Sequence, residues 1–401
     1  MPANDFPKLA AASIGGHVAD QMMLALLPLV LVAAGASART VSIVVAAHAA
    51  AWLVVSLPVG AYADVMSRRT IMQLGATTMM AGATIGACAL QLGFQQAWVL
   101  AITAFVIASG VVILILSVFA LIPRVLDASA LAPANALLEF GRAVVCIAAP
   151  IVAARLVARE TSVAGFAIAF VGGAVAFLVT RALPREPTAT VETVSMRAAI
   201  REGAAFVIEQ PLLRAIAVCA IAWNSAFFAL TAVFAPFAAG ELGLSIEGIG
   251  NAWSIYGIGL LLGSVAAAPM IARLPTGFMF VFGPVLSCLA VLALAALADR
   301  DTTWPVGFCF FCLGFGPMTW LVLQTSVRQI VTPHALLGRV GATITTTIYG
   351  VRPLGALLAG AMAAAFGARS ALWLSTVLFV FSCVAMLLSP AARLKAMPRP
   401  A

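Results

Sequence analysis

The chain has 401 residues, of which 63% are hydrophobic and only 9% charged, and its mean hydropathy is +1.11. A soluble protein carries about 25% charged residues, so a water-facing surface is excluded for most of this chain and lipid is its expected solvent. The net charge of +8 does not point to nucleic acid, because the basic residues sit in short segments between apolar runs, as they do where charge sets the orientation of a membrane protein.

A helix needs about 20 apolar residues to cross the hydrocarbon. The opening MPANDFPKLAAAS has no basic region followed by a cleavage site, so no removable signal peptide is expected. The first span, 9–34, carries His17 and Asp20 three residues apart on one face. The second, 41–63, contains His48 and runs into GAYADVMSRRT, Gly60 to Thr70. Spans at 70–92 and 97–122 follow. The fifth, 131–157, places Glu139 and Arg142 on one face and holds Pro150 in AAPIVAA. The sixth is 163–182. The longest polar break comes next, and its second part has the periodicity of a helix lying on the membrane surface. The remaining spans are 212–238, with Trp223, Asn224 and Phe227; 247–272; 276–298; 303–326, with Gln324; 337–366, with Tyr349, Arg352 and Pro353; and 370–389.

The expected fold is therefore an all-α membrane protein of twelve transmembrane helices. With the N-terminus inside, Arg39, Arg155, Arg159, Arg300 and Arg369 fall outside, Arg142 and Arg352 fall within spans, and the other fifteen of the 22 basic residues are cytoplasmic. That bias puts both termini in the cytoplasm.

The chain also repeats at an offset of about 204 residues. Asp20 answers to Asn224, Arg69 to Arg273, Arg124 to Arg328 and Pro150 to Pro353, each in the matching span. The expected domains are an N-terminal six-helix half (1–182), a cytoplasmic linker with a surface helix (183–211) and a C-terminal six-helix half (212–401). Two halves in parallel repeat suit a rocking transporter with its substrate site between them at mid-membrane.

GAYADVMSRRT resembles the cytoplasmic signature of the major facilitator superfamily, which runs G-x-L-a-D-r-x-G-r-k between spans two and three. Gly60, Asp64, Arg68 and Arg69 match, while Tyr62, Val65 and Ser67 replace the family's Leu, Arg and second Gly. The segments IPRVLDASALAPANALLEFGR and QTSVRQIVTPHALLGRVGATITTTIYGVRPLGALLAG look like those of the bacterial efflux branch that includes the enterobactin exporter and macrolide efflux proteins. The resemblance implies a proton-driven exporter in the bacterial inner membrane. It also implies gating roles for Gly60, Asp64, Arg68, Arg69, Pro150 and Pro353. Asp64 would cap the next helix or accept from an arginine when the cytoplasmic side is closed. In the antiporter signature of span five the family has Gly-Pro and then paired Gly; here Ala149-Pro150 and Ala153-Ala154 stand instead.

A charge at mid-membrane costs roughly 3 kcal/mol or more, so the intramembrane polar residues should face a cavity or a partner. Asp20, together with Glu139, is the expected proton carrier, and Arg142 the group that holds it ionised. Depth counting lets Asp20 and Arg142 meet; the other reading is a static pair that fixes packing, with Glu139 simply bonding Arg142. His17 and His48 read equally as proton relays or as hydrogen-bonded packing residues. The expected substrate cavity is lined by Trp223, Asn224, Phe227, Gln324, Tyr349 and Arg352. Arg352 suggests an anionic or carbonyl-rich substrate, or an arginine that bonds carbonyls beside Pro353.

Together these expectations describe a secondary transporter that exports a small hydrophobic or amphipathic molecule (drug, macrolide or siderophore type) by proton antiport. A transporter of lysophospholipid or another lipid is the alternative. A small-molecule substrate, protons and membrane lipids are the expected partners, with no nucleic acid, no cofactor and no metal, and the protein is expected to be monomeric. No nucleotide loop GxxxxGK[ST], zinc-spaced His/Cys set or nucleophile motif is present, so an enzyme is not expected. Cys309 and Cys312 have CxxC spacing but lie in an apolar run and read as packing residues.

Overall fold

The computed structural model describes residues 5–94, 96–184, 196–296, 303–333 and 336–398. Some side chains within its helices also lie outside that description, including those of Gly60 to Val65, Arg124 and Arg197. The expectations for Gly60 and Asp64, and the charges of Arg124, Arg185, Arg197, Arg300 and Arg399, therefore fall outside the described residues.

Among the described residues the chain is helical, with no strand. In order, the helices are α1 (Phe6–Ala33), α2 (Ala38–Val65), α3 (Arg68–Gln91), α4 (Ala97–Val125), α5 (Ala128–Ala158), α6 (Val163–Arg181), α7 (Met196–Glu209), α8 (Pro211–Gly240), α9 (Ile246–Arg273), α10 (Thr276–Ala296), α11 (Thr303–Val331), α12 (Leu337–Gly350), α13 (Arg352–Phe366) and α14 (Ala368–Leu387). A short 3-10 turn, Pro390–Arg393, closes the chain. The 28 residues of α1 or α2 reach about 42 Å at 1.5 Å per residue, more than the roughly 30 Å hydrocarbon core.

Among the described residues, eleven helical stretches are long and apolar enough to cross a membrane. The expected span not among them is the third, α3. Its 24 residues are long enough, but Thr, Gly and Gln dilute its apolar content. The eleventh expected span is two helices, α12 and α13, meeting at Val351. Pro353 is the cause: it has no N–H to give to the preceding turn, and its ring crowds that turn's carbonyl.

The chain divides into two compact units. The first comprises Met1–Val191 and Ser245–Ser254, the second Glu192–Leu244 and Ile255–Ala401. Within the first unit α1 packs on α4, α5 and α6, and α3 on α4 and α6. Within the second, α8 packs on α13 and α14, and α10 on α11 and α14. The α1–α5, α1–α6, α3–α4 and α3–α6 pairs thus have counterparts in α8–α13, α8–α14, α10–α11 and α10–α14. Trp98 and Trp304, the second residues of α4 and α11, are 65% and 85% exposed. Both suit the amphipathic ring's preference for a membrane interface.

Lipid gives helices no hydrophobic reason to associate, so small residues and close backbone contact must do so. The α1–α6 crossing illustrates this. Gly15 and Gly172 face each other, and a Cβ on Gly172 would lie 2.5 Å from the Gly15 carbonyl oxygen. The start of α9 makes a similar approach to α5 within the first unit. A Cβ on Gly250 would lie 2.5 Å from the Ala154 Cβ and 2.7 Å from the Pro150 carbonyl oxygen. The small-residue run AAPIVAA thus provides a surface for a neighbouring helix.

The basic segment after α2 is also accounted for locally. Ser67 is the N-cap of α3, and its hydroxyl accepts from the Thr70 N–H. A hydroxyl at the N-cap stabilises a helix by about 1 kcal/mol, which explains why Ser stands where the family pattern has Gly. Arg69 Nη1 donates to the Leu183 carbonyl at 2.9 Å, and Lys8 Nζ to the Ala182 carbonyl at 3.2 Å. Both cations therefore sit at the C-terminal end of α6, where orphan carbonyls favour positive charge.

In the second unit α7 lies against α12. Glu202 pairs with Arg339, and a Cβ on Gly203 would stand 2.7 Å from the Arg339 carbonyl oxygen. Val207 joins a core with Val340, Ile344 and Trp320. The burial holds α7, since an ion pair this exposed is worth about 0.5 kcal/mol. Glu202→Ala should lower the thermal midpoint only slightly in a detergent melt, and Val207→Asp should lower it far more.

Candidate functional site

Each unit carries one polar cluster in the middle of its helices. In the first unit α1 supplies His17, Asp20 and Gln21, α2 supplies His48, and α5 supplies Glu139, Arg142 and Cys146. Asp20 lies about 14 residues into α1, roughly 21 Å along a helix of twice that length. Its Oδ1 is 3.0 Å from His48 Nε2, and Gln21 Nε2 donates to its Oδ2 at 2.9 Å. The carboxylate is 14% exposed and the imidazole 6%. A carboxylate that accepts two hydrogen bonds is partly compensated for lost water. His48 Nδ1, in contrast, is buried without a hydrogen-bond partner among the described residues. Nothing described there fixes the ring's tautomer, which a partner on the second nitrogen normally does.

On α5, Arg142 Nε and Nη2 both reach Glu139 Oε2 at 2.7 Å, as i,i+3 spacing allows. Arg142 also bonds the Cys146 thiol one turn on. His17 has Arg142, Asp20 and Glu139 as its electrostatic neighbours. The structure therefore brings all five expected proton-coupling residues into one cluster. It pairs Asp20 with His48 and Gln21, and Arg142 with Glu139.

The second unit holds the other cluster. Asn224 on α8 donates to the Ala220 carbonyl at 2.9 Å and accepts from Arg352 Nε at 2.9 Å. The guanidinium carbon of Arg352 is 4.0 Å from the Tyr349 ring centroid and 4.9 Å from that of Phe228. Trp223 and Phe227 stack with centroids 5.0 Å apart, Phe227 lies 5.4 Å from Tyr256, and Trp223 Nε1 donates to Ser287 Oγ at 3.0 Å. Gln324 is buried on α11; its Nε2 donates to Thr325 Oγ1, and its Oε1 is buried without a partner among the described residues. Trp320, one turn earlier, has a buried indole N–H in the same condition. Pro353 follows Arg352 in the first turn of α13, while Pro150 lies inside the continuous α5. The two prolines match by offset and differ in effect.

Gln21, Cys146, Tyr256 and Ser287 join these clusters without having been expected from the sequence. Gln21 follows Asp20 directly, and adjacent helix positions do not face one another. The Asp20–His48 pair did leave a signal: counted from the loop that joins α1 to α2, Asp20 is about 13 and His48 about 10 residues deep, which puts them within roughly 5 Å in height. No group of three or more His, Cys, Asp or Glu that could hold a metal occurs among the described residues, and the seven cysteines are free.

Paired polar clusters at mid-helix, in two repeated bundles of membrane-length helices, belong to a transporter of the major facilitator type. The chain is a member of the transmembrane secretion effector family, whose pattern matches residues 7–399. It is 28% identical over 246 residues to the "Uncharacterized MFS-type transporter y4rN" of Sinorhizobium fredii (strain NBRC 101917 / NGR234). That alignment covers 60% of this chain and 59% of the relative, so it spans about three fifths of the relative's length. Among solved structures, a POT family transporter in complex with a thioalcohol-conjugated peptide superposes with a TM-score of 0.78 at 13% identity over 96% of each chain. A bacterial homologue of the human lysosomal transporter Spinster, inward-facing and unoccupied, superposes with a TM-score of 0.76 at 14% identity, over 97% of this chain and 96% of that one. The nucleoside transporter NupG gives 0.74 at 12% identity, over 96% and 98%. At these identities the likeness is one of fold. Family and fold alike are those of multi-pass membrane transporters, not enzymes.

Proposed function

We propose that the protein exports a small hydrophobic or amphipathic molecule in exchange for protons, and that Asp20 with His48 carries the coupling proton. The observation behind this reading is the Asp20–His48 contact of 3.0 Å at mid-helix, with the imidazole's other nitrogen buried and unpartnered among the described residues. With Asp20 ionised, His48 Nε2–H and Gln21 donate to it. With Asp20 protonated, its O–H can donate to Nε2 once the imidazole's own proton sits on Nδ1. Neither form sacrifices a bond at Nδ1, so the pair accepts and releases a proton with little reorganisation. Glu139, Arg142 and His17 lie close enough to bias that exchange electrostatically.

The moving bodies in this proposal are the six-helix halves, 1–182 and 212–401, with 183–211 as linker, working by alternating access in a bacterial inner membrane with both termini cytoplasmic. The aromatic cluster of Trp223, Phe227 and Tyr256 supplies an apolar lining for the substrate. Asp64 with Arg68 remains a proposed gate. The test uses inverted vesicles energised by an imposed acid-inside proton gradient, with a fluorescent amphiphile series added to the outer medium. Uptake should follow the gradient and stop on addition of a protonophore. Uptake that persists without the gradient would remove the antiport reading.

A further inference from the structure

We propose that Cys288 and Cys383 form an oxidisable dithiol, a site where a neutral, lipid-soluble halogen oxidant closes a disulfide between α10 and α14. The inference is independent of the substrate and coupling readings above. Cys288 lies on α10 and Cys383 on α14, two helices that pack on each other. Both cysteines are free, and their thiols are hydrogen-bonded to one another. Sulfurs that already touch from packed helices come within bonding distance by side-chain rotation, whereas a pair whose backbones stand apart needs the helices to move. The other buried cysteines of this unit are placed differently. Cys219 on α8 also lies near Cys383, but it is fully buried and its Sγ is 3.3 Å from Ser382 Oγ. Cys309 and Cys312 are neighbours on one helix, α11, so a bond between them would join no two helices.

The pair is reached from the lipid side. Cys288 is half-buried, and Leu289, Leu292, Phe381 and Val384 beside the seam are exposed. A reagent that meets a thiol there must dissolve in hydrocarbon and carry no charge, as a molecular halogen or a hypohalous acid does. With iodine, the first sulfur takes one iodine atom, and its proton leaves with iodide as hydrogen iodide. The second sulfur then displaces iodide from the first, and its proton leaves in the same way. Two thiols and one molecule of iodine thus give one disulfide and two molecules of hydrogen iodide, the sulfurs losing the two electrons that iodine gains. The neighbours define what the bond holds. Trp223 Nε1 donates to Ser287 Oγ at 3.0 Å, on the residue before Cys288. The Trp223 ring stands edge-on to Phe379, with centroids 5.9 Å apart, about one turn before Cys383. The disulfide therefore staples together the two helices that support the Trp223 indole, behind the aromatic cluster.

The experiment treats the full-length protein with molecular iodine in nanodiscs of saturated phosphatidylcholine, which offers the halogen no double bonds. Remaining thiols are then alkylated in denaturant, and peptides are mapped without reductant. Wild type should yield a linked pair of peptides joining Cys288 to Cys383, and a phosphine reductant should release it. Cys288→Ser and Cys383→Ser should each lose that link, and Cys219→Ser should keep it. Oxidised wild type should also melt several degrees above the reduced protein, because the bond closes a long loop of the unfolded chain. Where a serine variant fails to fold, Cys288→Ala and Cys383→Ala replace it, and reversal of the wild-type link and midpoint by reductant carries the test. Wild type in which Cys288 and Cys383 both remain alkylatable after iodine, or in which Cys383 is linked to Cys219 instead, overturns the site. A Cys288–Cys383 link that forms without raising the midpoint overturns the stapling.

Discussion

Asp20→Asn is expected to abolish proton-coupled transport, lowering gradient-driven flux in vesicles by 100-fold or more on the scale of a lost obligatory proton-transfer group. The amide is nearly the shape of the carboxyl group. It still accepts from one donor, and its NH₂ can face His48 Nε2 when that nitrogen is an acceptor. Folding should therefore survive, with a normal elution profile and a thermal midpoint close to wild type. What disappears is the exchangeable proton. His48→Ala should be milder, because Gln21 still bonds the carboxylate at 2.9 Å, but it leaves Asp20 with one partner fewer in a medium where each counts. A variant that folds and still pumps at the wild-type rate would remove Asp20 from the coupling step.

Gly172→Leu should have the largest effect on stability. A Cβ at that position already falls 2.5 Å from a backbone oxygen of α1, and backbone cannot turn aside as a side chain can. The helices must separate, and the α1–α6 contact in which Leu26 packs over Gly165 opens with them. Overpacking a close crossing costs about 3 kcal/mol, which should appear as a large drop in folded yield and thermal midpoint. Gly341→Ala is the natural control: an added Cβ there meets nothing within 4 Å, and Ala is the better helix former by about 1 kcal/mol. Equal melting of Gly172→Leu and wild type would mean that the crossing is not a tight one.

The degree to which each feature was legible in the sequence follows from its range. Helices of membrane length announce themselves because about 20 apolar residues in a row have few other uses. Even α3 was found, by its flanks more than by its content. The repeat was visible in a few landmarks because the same helix pairs must bury the same faces. Contacts within one helix were also accessible: Glu139 and Arg142 are three residues apart and do bond. Contacts between helices were much harder. His48 was known to be intramembrane, yet only its depth related it to Asp20, and depth does not tell which face of α2 turns inward. Asn224 and Arg352 are 128 residues apart, and no local pattern joins them. The break at Val351 was foreshadowed by Pro353, but the same residue type at Pro150 lies within an unbroken α5, so proline alone did not decide the outcome. The Ser67 cap stands beside two arginines that orientation alone accounts for, so its own signal is a single hydroxyl.

The most direct test of the central claim is an infrared pH titration of the purified protein in lipid nanodiscs, wild type beside Asp20→Asn. A protonated carboxyl group absorbs apart from carboxylate and amide, so the band counts protons on buried acids without need of a substrate. The account predicts a component of the protonated-carboxyl band that wild type shows on acidification, that Asp20→Asn lacks, and whose midpoint shifts in His48→Ala. An identical titration in wild type and Asp20→Asn would contradict it.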